Sequence, residues 1–134
     1  MTLGRASSRA IAMNLLAWGG VIALAMLSWL PSDDMIRTGL DGRIEHVLAY
    51  ACITSLVALV YANRVGLKAI AITLTLYAGV LEIGQNFTSS RNAAFGDFLA
   101  SSTGILIGIF LYIIVRIRVR RRRTRNCLSS QLID

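Results

Sequence analysis

Four apolar stretches, each long enough to cross a lipid bilayer as a helix, constrain this chain more than any other feature of its sequence. They lie near residues 11–30, 44–62, 69–87 and 98–115. The first contains twenty residues without a charge and is followed by Pro31. A helix of that length rises about 30 Å, which matches the hydrocarbon thickness of a bilayer. We therefore predict an all-α fold, an integral membrane antiparallel four-helix bundle with short connections.

The composition agrees with a location in lipid. Hydrophobic residues make up 55% of the 134 residues, and the mean hydropathy is +0.63, whereas an average soluble domain is roughly 45–50% apolar even with glycine counted. The length corresponds to one domain, whose core cannot hide this excess of apolar side chains. We predict a four-span membrane domain, residues 1–115, followed by an arginine-rich tail, residues 116–134.

The first apolar stretch has a second interpretation, as a cleaved signal peptide. Arg5 and Arg9 would form its basic region, and Ala23-Leu24-Ala25 resembles a cleavage site. The stretch is longer than the roughly 7–15 residues expected of the apolar region of a signal peptide, so the sequence favours a retained span. Cleavage would leave the topology of the other three spans unchanged.

Basic residues are distributed unequally between the two sides of the predicted bundle. The N-terminal segment, the connection between the second and third spans and the tail hold eleven of the fourteen Lys and Arg residues. Because basic residues are retained on the cytoplasmic side, both termini are predicted to be cytoplasmic. The formal net charge of +7 then divides into +10 on the cytoplasmic side and −3 outside. We predict a multi-pass protein of the cell inner (plasma) membrane.

The tail carries seven arginines between Arg116 and Arg125, directly after the fourth span. Basic residues beside a bilayer surface attract anionic lipids, by about 1 kcal/mol each. The segment lacks the interleaved aromatic residues of single-stranded nucleic-acid-binding proteins. The predicted partners are therefore the lipid bilayer and its anionic lipids, and nucleic acid is not predicted.

Polar residues at membrane depth are few, and most lie at one predicted level, the outer ends of the second, third and fourth spans. A polar group that faces lipid without a partner costs several kcal/mol. Glu82 lies five residues before Phe87, about 7–8 Å of helical rise inside its span, so its carboxylate must be paired, protonated or beside an aqueous pocket. The candidate ligand-binding residues at this level are Arg43, Glu45, His46, Tyr50, Glu82, Gln85, Arg91, Asp97 and Ser101.

Three of these side chains, those of His46, Glu82 and Asp97, are candidates for catalysis. A histidine beside a carboxylate can act as a general acid or base near neutral pH. No serine, cysteine or lysine lies in a recognised nucleophile motif, so the sequence leans towards a role without catalysis. The structural interpretation is that Asp97 only caps its helix and that Glu82 pairs with His46 or Arg91 to lock the bundle. The spacings match no metal signature, and neither a metal nor a cofactor is predicted.

A stripe of polar and small residues runs along one face of the fourth span. Asp97, Ser101, Gly104 and Gly108 follow one another at intervals of four, three and four residues, which places them on one side of a helix. The Gly104-x-x-x-Gly108 pair lets another helix approach closely. This helix is either another span of the same chain or a span of a second copy. In the second case Gly104 and Gly108 mediate contact between the copies of a homo-oligomer.

Several residues occur in an order that is similar to that of a known family: Arg43, His46, Tyr50, Glu82-x-x-Gln85-x-Phe87, Arg91, Asp97 and Gly104-x-x-x-Gly108. The stretch from residue 28 to 112 resembles the VanZ-like family of small bacterial membrane proteins, although Gly42-Arg43 stands where the family usually has Asp-Lys and Ser101 where it has Asn. The resemblance implies a four-helix membrane protein of the bacterial cell envelope. Its founding member is associated with reduced susceptibility to the glycopeptide teicoplanin.

Three functions are compatible with these features. The first is an envelope protein that affects envelope or glycopeptide susceptibility and whose outer polar cluster binds a lipid-linked or surface-polymer component, with Arg91 as the anion contact. The second is a membrane-embedded enzyme that acts on a lipid-linked substrate through His46 and Glu82. The third is a small oligomeric transporter, which the sequence favours least because four spans are few and no paired broken segments occur.

Overall fold

The computed structural model describes residues 3–29, 41–85 and 95–131, and this part of the chain forms four α-helices. Each helix contains a stretch that is long and apolar enough to cross a membrane. The protein is therefore an all-helical bundle with four candidate membrane spans, which confirms the predicted fold class at this level. The helices are α1 (Leu3–Trp29), α2 (Gly42–Val65), α3 (Leu67–Gln85) and α4 (Phe95–Gln131).

The outer surface of the bundle carries large apolar side chains. Leu15 and Met26 of α1, Leu76 of α3 and Leu106 of α4 each expose about two thirds of their surface, and Leu48 of α2 exposes half. A soluble monomer rarely exposes apolar area on this scale. The helices thus bury small and polar residues between them and direct their largest apolar side chains outwards, as expected of helices that lie in lipid.

Helix α2 begins and ends at residues that suit helix termini. The Asp41 carboxylate caps its start and accepts a hydrogen bond from the backbone N–H of Arg43 at 2.8 Å. At its end the N–H of Gly66 donates to the carbonyl of Ala62 at 3.1 Å. Gly66 has a φ of +82°, a conformation that glycine adopts without steric cost. Because Gly66 alone separates α2 from α3, the two helices form a tight antiparallel hairpin.

The helices alternate in direction, with α1 and α3 parallel to each other and antiparallel to α2 and α4. Helices α2 and α3 each pack on all three others, while α1 lies against α2 and α3. We call the end at the α2–α3 turn the Gly66 end, and the end where α2 and α4 begin the His46 end. The contacts that establish the directions are Asn14 with Tyr61, Gly20 with Ile53, Val21 with Tyr77, Trp29 with Gly84, His46 with Ser101, and Ser55 with Gly108.

The most extensive interface joins α2 and α4, and two glycines make it close. A Cβ atom at Gly104 would lie 2.5 Å from the carbonyl oxygen of Val47, and one at Gly108 would lie 2.6 Å from that of Ala51. The Ser55 hydroxyl donates to the carbonyl oxygen of Ala51 in its own helix at 2.8 Å and lies 3.1 Å from that of Gly108, so it bridges the two backbones. The stripe therefore contacts α2 of the same chain. The alternative that Gly104 and Gly108 pair with a second copy is wrong, because both glycines are already buried against α2.

Tyrosine hydroxyls attach α1 to the rest of the bundle. The hydroxyl of Tyr61 donates to Oδ1 of Asn14 at 2.6 Å and accepts a hydrogen bond from Nε1 of Trp18 at 2.9 Å. On α3, the hydroxyl of Tyr77 donates to the carbonyl oxygen of Val21 at 2.7 Å. Hydrogen bonds between membrane helices contribute about 0.6 kcal/mol on average. Helix α1 is thus held by several modest polar contacts at one side of the bundle.

Helix α4 does not end where the sequence predicts that the fourth span ends, near residue 115. It continues without a break to Gln131, and its 37 residues rise about 55 Å, nearly twice the hydrocarbon thickness of a bilayer. The guanidinium carbon of Arg116 lies 5.9 Å from the centre of the Tyr112 ring, within the range of a cation–π contact. The arginines therefore lie on a helical continuation of the span.

Candidate functional site

A row of polar side chains lies along the interface of α2 and α4 at the His46 end. The two helices are parallel and keep a constant register, with partners that are 53 to 55 positions apart in the sequence. Ser101 lies one turn before Gly104 on the same face of α4. The close approach at Gly104 therefore brings Ser101 against His46, which lies one turn before Tyr50.

Ser101, His46 and Tyr50 form the centre of this row. The Ser101 hydroxyl lies 3.4 Å from Nδ1 of His46, which makes a long and weak hydrogen bond, and it lies within hydrogen-bonding reach of the Tyr50 hydroxyl. The Tyr50 ring stacks on the imidazole, with centroids 6.4 Å apart and planes at 22°. Ser101 is 3% and Tyr50 2% exposed. His46 is half-buried and is the member of this group nearest to the exterior.

Helix α3 adds an acidic and an amide side chain at the same end. Glu82 and Gln85 are both buried, and their spacing of three residues places them on one face of α3. Glu82 is near enough to Tyr50 to act on it electrostatically, and it has a further interaction of its own. One turn before Glu82, a Cβ atom at Gly79 would lie 3.6 Å from the Phe98 ring of α4. The contact at Gly79 holds α3 against α4 beside the polar row.

Arg43 and Asp97 form the rim of the cluster. Nε of Arg43 lies 3.9 Å from Oδ1 of Asp97, and the two side chains are 68% and 29% exposed. An exposed pair at this distance contributes about 0–1 kcal/mol. The guanidinium passes over Gly96, where a Cβ atom would lie 3.1 Å from its Nε. Because its link to Asp97 is weak, the guanidinium can bind an anion from the exterior.

The position of Asp97 corrects one structural interpretation. Helix α4 begins at Phe95, so Asp97 lies in the first turn and does not cap the helix. A carboxylate in the first turn still interacts favourably with the helix dipole, by about 0.3–1 kcal/mol at an exposed position. Glu45 occupies the equivalent place in the first turn of α2, where it is half-buried and has an interaction partner.

Seven of the nine predicted ligand-binding residues thus gather at the His46 end on three helices, and Glu45 lies beside them. Arg91 lies outside the described residues. Within residues 3–29, 41–85 and 95–131, no group of three or more His, Cys, Asp or Glu residues is placed to hold a metal ion. The seven gathered residues are Arg43, His46, Tyr50, Glu82, Gln85, Asp97 and Ser101.

Sequence reasoning missed the α2 side of the interface. Thr54 is fully buried against Gly108, and its hydroxyl has no hydrogen-bond partner among the described residues. The next residue, Ser55, makes the hydroxyl contact to α4. The signal that could have found them is a second stripe of small residues on α2, in which Ala51 and Ser55, and Thr54 and Ala58, are each four positions apart.

Comparison with known protein families, with curated proteins and with solved structures finds no match to this chain. Its four long apolar helices make the chain best described as an integral membrane protein.

Proposed function

We propose that the protein binds an anionic, lipid-linked or surface-polymer component of the bacterial cell envelope at its His46 end and does not transform it. The observation that carries this proposal is the exposed guanidinium of Arg43 at the rim of a buried polar cluster. Guanidinium groups recognise phosphates and carboxylates through paired, charge-assisted hydrogen bonds. The distribution of basic residues predicts that this end faces outwards, where such components expose their head groups.

The geometry divides the cluster into residues that would contact the ligand and residues that position them. Nδ1 of His46 faces Ser101, so Nε2 is the nitrogen left to a ligand. Tyr50 and Ser101 are buried and would hold the imidazole in place. An anion that binds Arg43 would break its ion pair with Asp97, and because the pair is exposed this costs only about 0–1 kcal/mol. Arg43 and His46 are therefore the proposed contacts among the described residues.

We also propose membership of the VanZ-like family, on the order of motifs in the sequence. Support comes from motif elements on two helices that are far apart in the sequence but adjacent in the fold: Tyr50 of α2, which stacks on His46, packs against Gly104 of the Gly104-x-x-x-Gly108 pair of α4. Membership carries the expectation that envelope or glycopeptide susceptibility depends on this protein. Arg91 belongs to the same set of motifs and is the second proposed anion contact.

The second candidate function is a membrane-embedded enzyme on a lipid-linked substrate. One observation favours it, the approach of the Ser101 hydroxyl to a histidine nitrogen with Glu82 nearby. Two observations weigh against it: Ser101 is 3% exposed, and it lies inside a continuous helix. A nucleophile has to reach the reacting atom of its substrate, and this hydroxyl is closed in by two helices.

Removing the charge of Arg43 should weaken binding of an anionic head group. The probe is a polyprenyl phosphate, titrated against the full-length protein in lipid nanodiscs. A hydrogen bond to a charged group is worth about 1.5–3 kcal/mol, so Arg43→Gln should raise Kd by at least about tenfold. The matched control is Arg9→Gln, an exposed arginine of α1 at the Gly66 end, which should leave Kd unchanged.

Two results of this experiment would contradict the binding proposal. One is an Arg43→Gln protein, and likewise an Arg91→Gln protein, that binds the probe with the affinity of the unmodified protein. The other is release of inorganic phosphate or another product from the probe, lost in His46→Ala and in Glu82→Gln. The second result would establish the enzyme instead.

The arginine-rich extension of α4 is proposed to bind anionic lipid at the bilayer surface. Replacing residues 120–123 with glutamine removes four charges, each worth about 1 kcal/mol near such a surface. An environment-sensitive fluorophore on Cys127, in a Cys52→Ser protein, should show a less polar environment in phosphatidylglycerol vesicles than in phosphatidylcholine vesicles. The glutamine variant should lose this difference. A difference that persists in the variant would show that these arginines do not bind the surface.

A further inference from the structure

An apolar groove opens between α1, α2 and α3 in the half of the bundle nearer the Gly66 end. It encloses about 470 Å³, within the roughly 300–1,000 Å³ of sites that take small ligands. Its walls are formed by residues within 17–21 of α1, 57–65 of α2 and 69–77 of α3. The groove is therefore separate from the polar cluster, which lies at the opposite end.

The interior of the groove suits a hydrocarbon chain. Four polar side chains line its walls, those of Trp18, Tyr61, Thr73 and Tyr77, and the polar atoms of Trp18, Tyr61 and Tyr77 are already hydrogen-bonded between the helices. The Tyr61 hydroxyl bonds to Asn14 and receives the indole N–H of Trp18, and the Tyr77 hydroxyl bonds to the backbone of α1. A polar ligand would have to break these bonds, whereas an acyl chain leaves them intact.

Two basic residues lie beside the end of the groove that is nearer to Gly66. Arg64 and Lys68 are exposed and lie next to Val65 and Ala69, which line the groove. The first turn of α3 contains no acidic residue that would neutralise Lys68. The acidic residues within the described ranges all lie at the His46 end: Asp41, Glu45, Glu82 and Asp97.

We propose that this groove binds an anionic phospholipid, with one acyl chain between α1, α2 and α3 and the phosphate at Arg64 and Lys68. An apolar slot that ends at two basic side chains has the shape and charge of a lipid with a negative head group. A zwitterionic lipid would place the same chain in the groove but would gain less at the basic residues, because its head group carries no net charge. The site lies at the other end of the bundle from the proposed envelope ligand and does not depend on it.

The test measures phospholipid retained by the purified full-length protein in mild detergent, by native mass spectrometry. Dioleoyl phosphatidylglycerol and dioleoyl phosphatidylcholine are added in equal amounts. The unmodified protein should retain the anionic lipid with a preference of about thirtyfold, since two basic residues near a head group contribute about 1 kcal/mol each. The double variant Arg64→Gln/Lys68→Gln should lose the preference and keep weak binding of both lipids.

Filling the groove tests where the acyl chain lies. Ala69 is exposed and lines the groove, so Ala69→Trp should reduce retention of both lipids at least about fivefold. The matched control Ile72→Trp changes a side chain that is 52% exposed on α3 outside the groove walls, and it should retain lipid normally. Thr73→Trp, at another exposed groove position, replaces Ala69→Trp if that protein does not fold.

Three outcomes would overturn the proposal. The first is equal lipid retention by the groove-filling variant and by Ile72→Trp. The second is loss of the anionic preference when residues 120–123 become glutamine while Arg64→Gln/Lys68→Gln keeps it, which would place the bound lipid on the α4 extension. The third is a dimer that the groove-filling variant converts to a monomer without loss of lipid, which would make a second copy the occupant.

Discussion

Replacing Gly104 with leucine should prevent the bundle from assembling, and even alanine should weaken it measurably. The first added carbon would lie 2.5 Å from the Val47 carbonyl oxygen and 2.9 Å from Cβ of Tyr50. Neither atom can rotate away, because one belongs to the backbone and the other is attached directly to it. Helices α2 and α4 would have to separate, and this also moves Ser101 away from His46.

The expected sizes follow from the cost of overpacking. Inserted carbons in a well-packed interior cost about 1–3 kcal/mol, occasionally more. Gly104→Ala should therefore lower the Tm of the detergent-solubilised protein by roughly 5–10 °C, measured from the folded fraction that survives heating and size-exclusion chromatography. Gly104→Leu should yield little folded protein, because three further carbons enter the same space.

Gly19 of α1 provides the matched control. A Cβ atom there would meet nothing within 4 Å, so Gly19→Ala and Gly19→Leu add the same carbons to a helix without a clash. Both positions gain the helix propensity that alanine has over glycine, about 1 kcal/mol. The difference between the two alanine variants then reports the α2–α4 contact. Equal Tm values for Gly104→Ala and Gly19→Ala would refute the role assigned to the contact.

The four helices could be predicted from the sequence because the thickness of a bilayer sets a minimum length for an apolar run. The end of α4 could not be predicted in the same way. Arginine is among the better helix formers, and no glycine or proline follows Gly108. The fall in hydropathy after residue 115 marks where the lipid-facing segment ends, but no residue there interrupts the helical backbone.

The sequence predicts the depth at which the residues of the candidate site lie, but it predicts only part of the contacts between them. Helical rise places His46, Glu82 and Ser101 at similar depth, but it does not give the rotation of each helix about its axis. The glycine pair of α4 indicates which face of α4 packs against another helix. The stripe of small residues on α2 indicates that this other helix is α2. The hydrogen bonds of Tyr61 and Tyr77 to α1 carry no comparable signal, since a tyrosine in an apolar run looks like any other large side chain.

The structure also narrows the set of residues that a ligand could touch directly. Tyr50, Gln85 and Ser101 are buried among the helices, while Arg43 is exposed at the rim and His46 is half-buried. The depth in the bilayer predicted from the sequence does not distinguish these five residues. Burial separates them into an inner group that fixes the helix register and an outer pair that is open to binding.

Removing the Tyr50 side chain should destabilise the bundle nearly as much as Gly104→Leu. It leaves a cavity between α2 and α4, whereas leucine at position 104 overfills the same interface. Tyr50 is 2% exposed and is the largest of the fully buried side chains in the described part of the protein. Truncating a buried aromatic residue to alanine costs about 3–5 kcal/mol. Tyr50→Ala should therefore lower Tm by more than about 10 °C, and binding of the polyprenyl phosphate probe should weaken because His46 loses the ring that stacks on it.

Tyr50→Phe separates packing from hydrogen bonding at this position. It keeps the ring between α2 and α4 and removes only the hydroxyl that faces Ser101, a loss of about 0.5–1.5 kcal/mol. Its Tm should lie close to that of the unmodified protein, with probe affinity reduced less than in Tyr50→Ala. If Tyr50→Phe is as unstable as Tyr50→Ala, the ring contributes little, and the hydroxyl contact to Ser101 is what holds α2 and α4 in register. The small residues at Gly104 and Gly108 would then permit the close approach without supplying most of its stability.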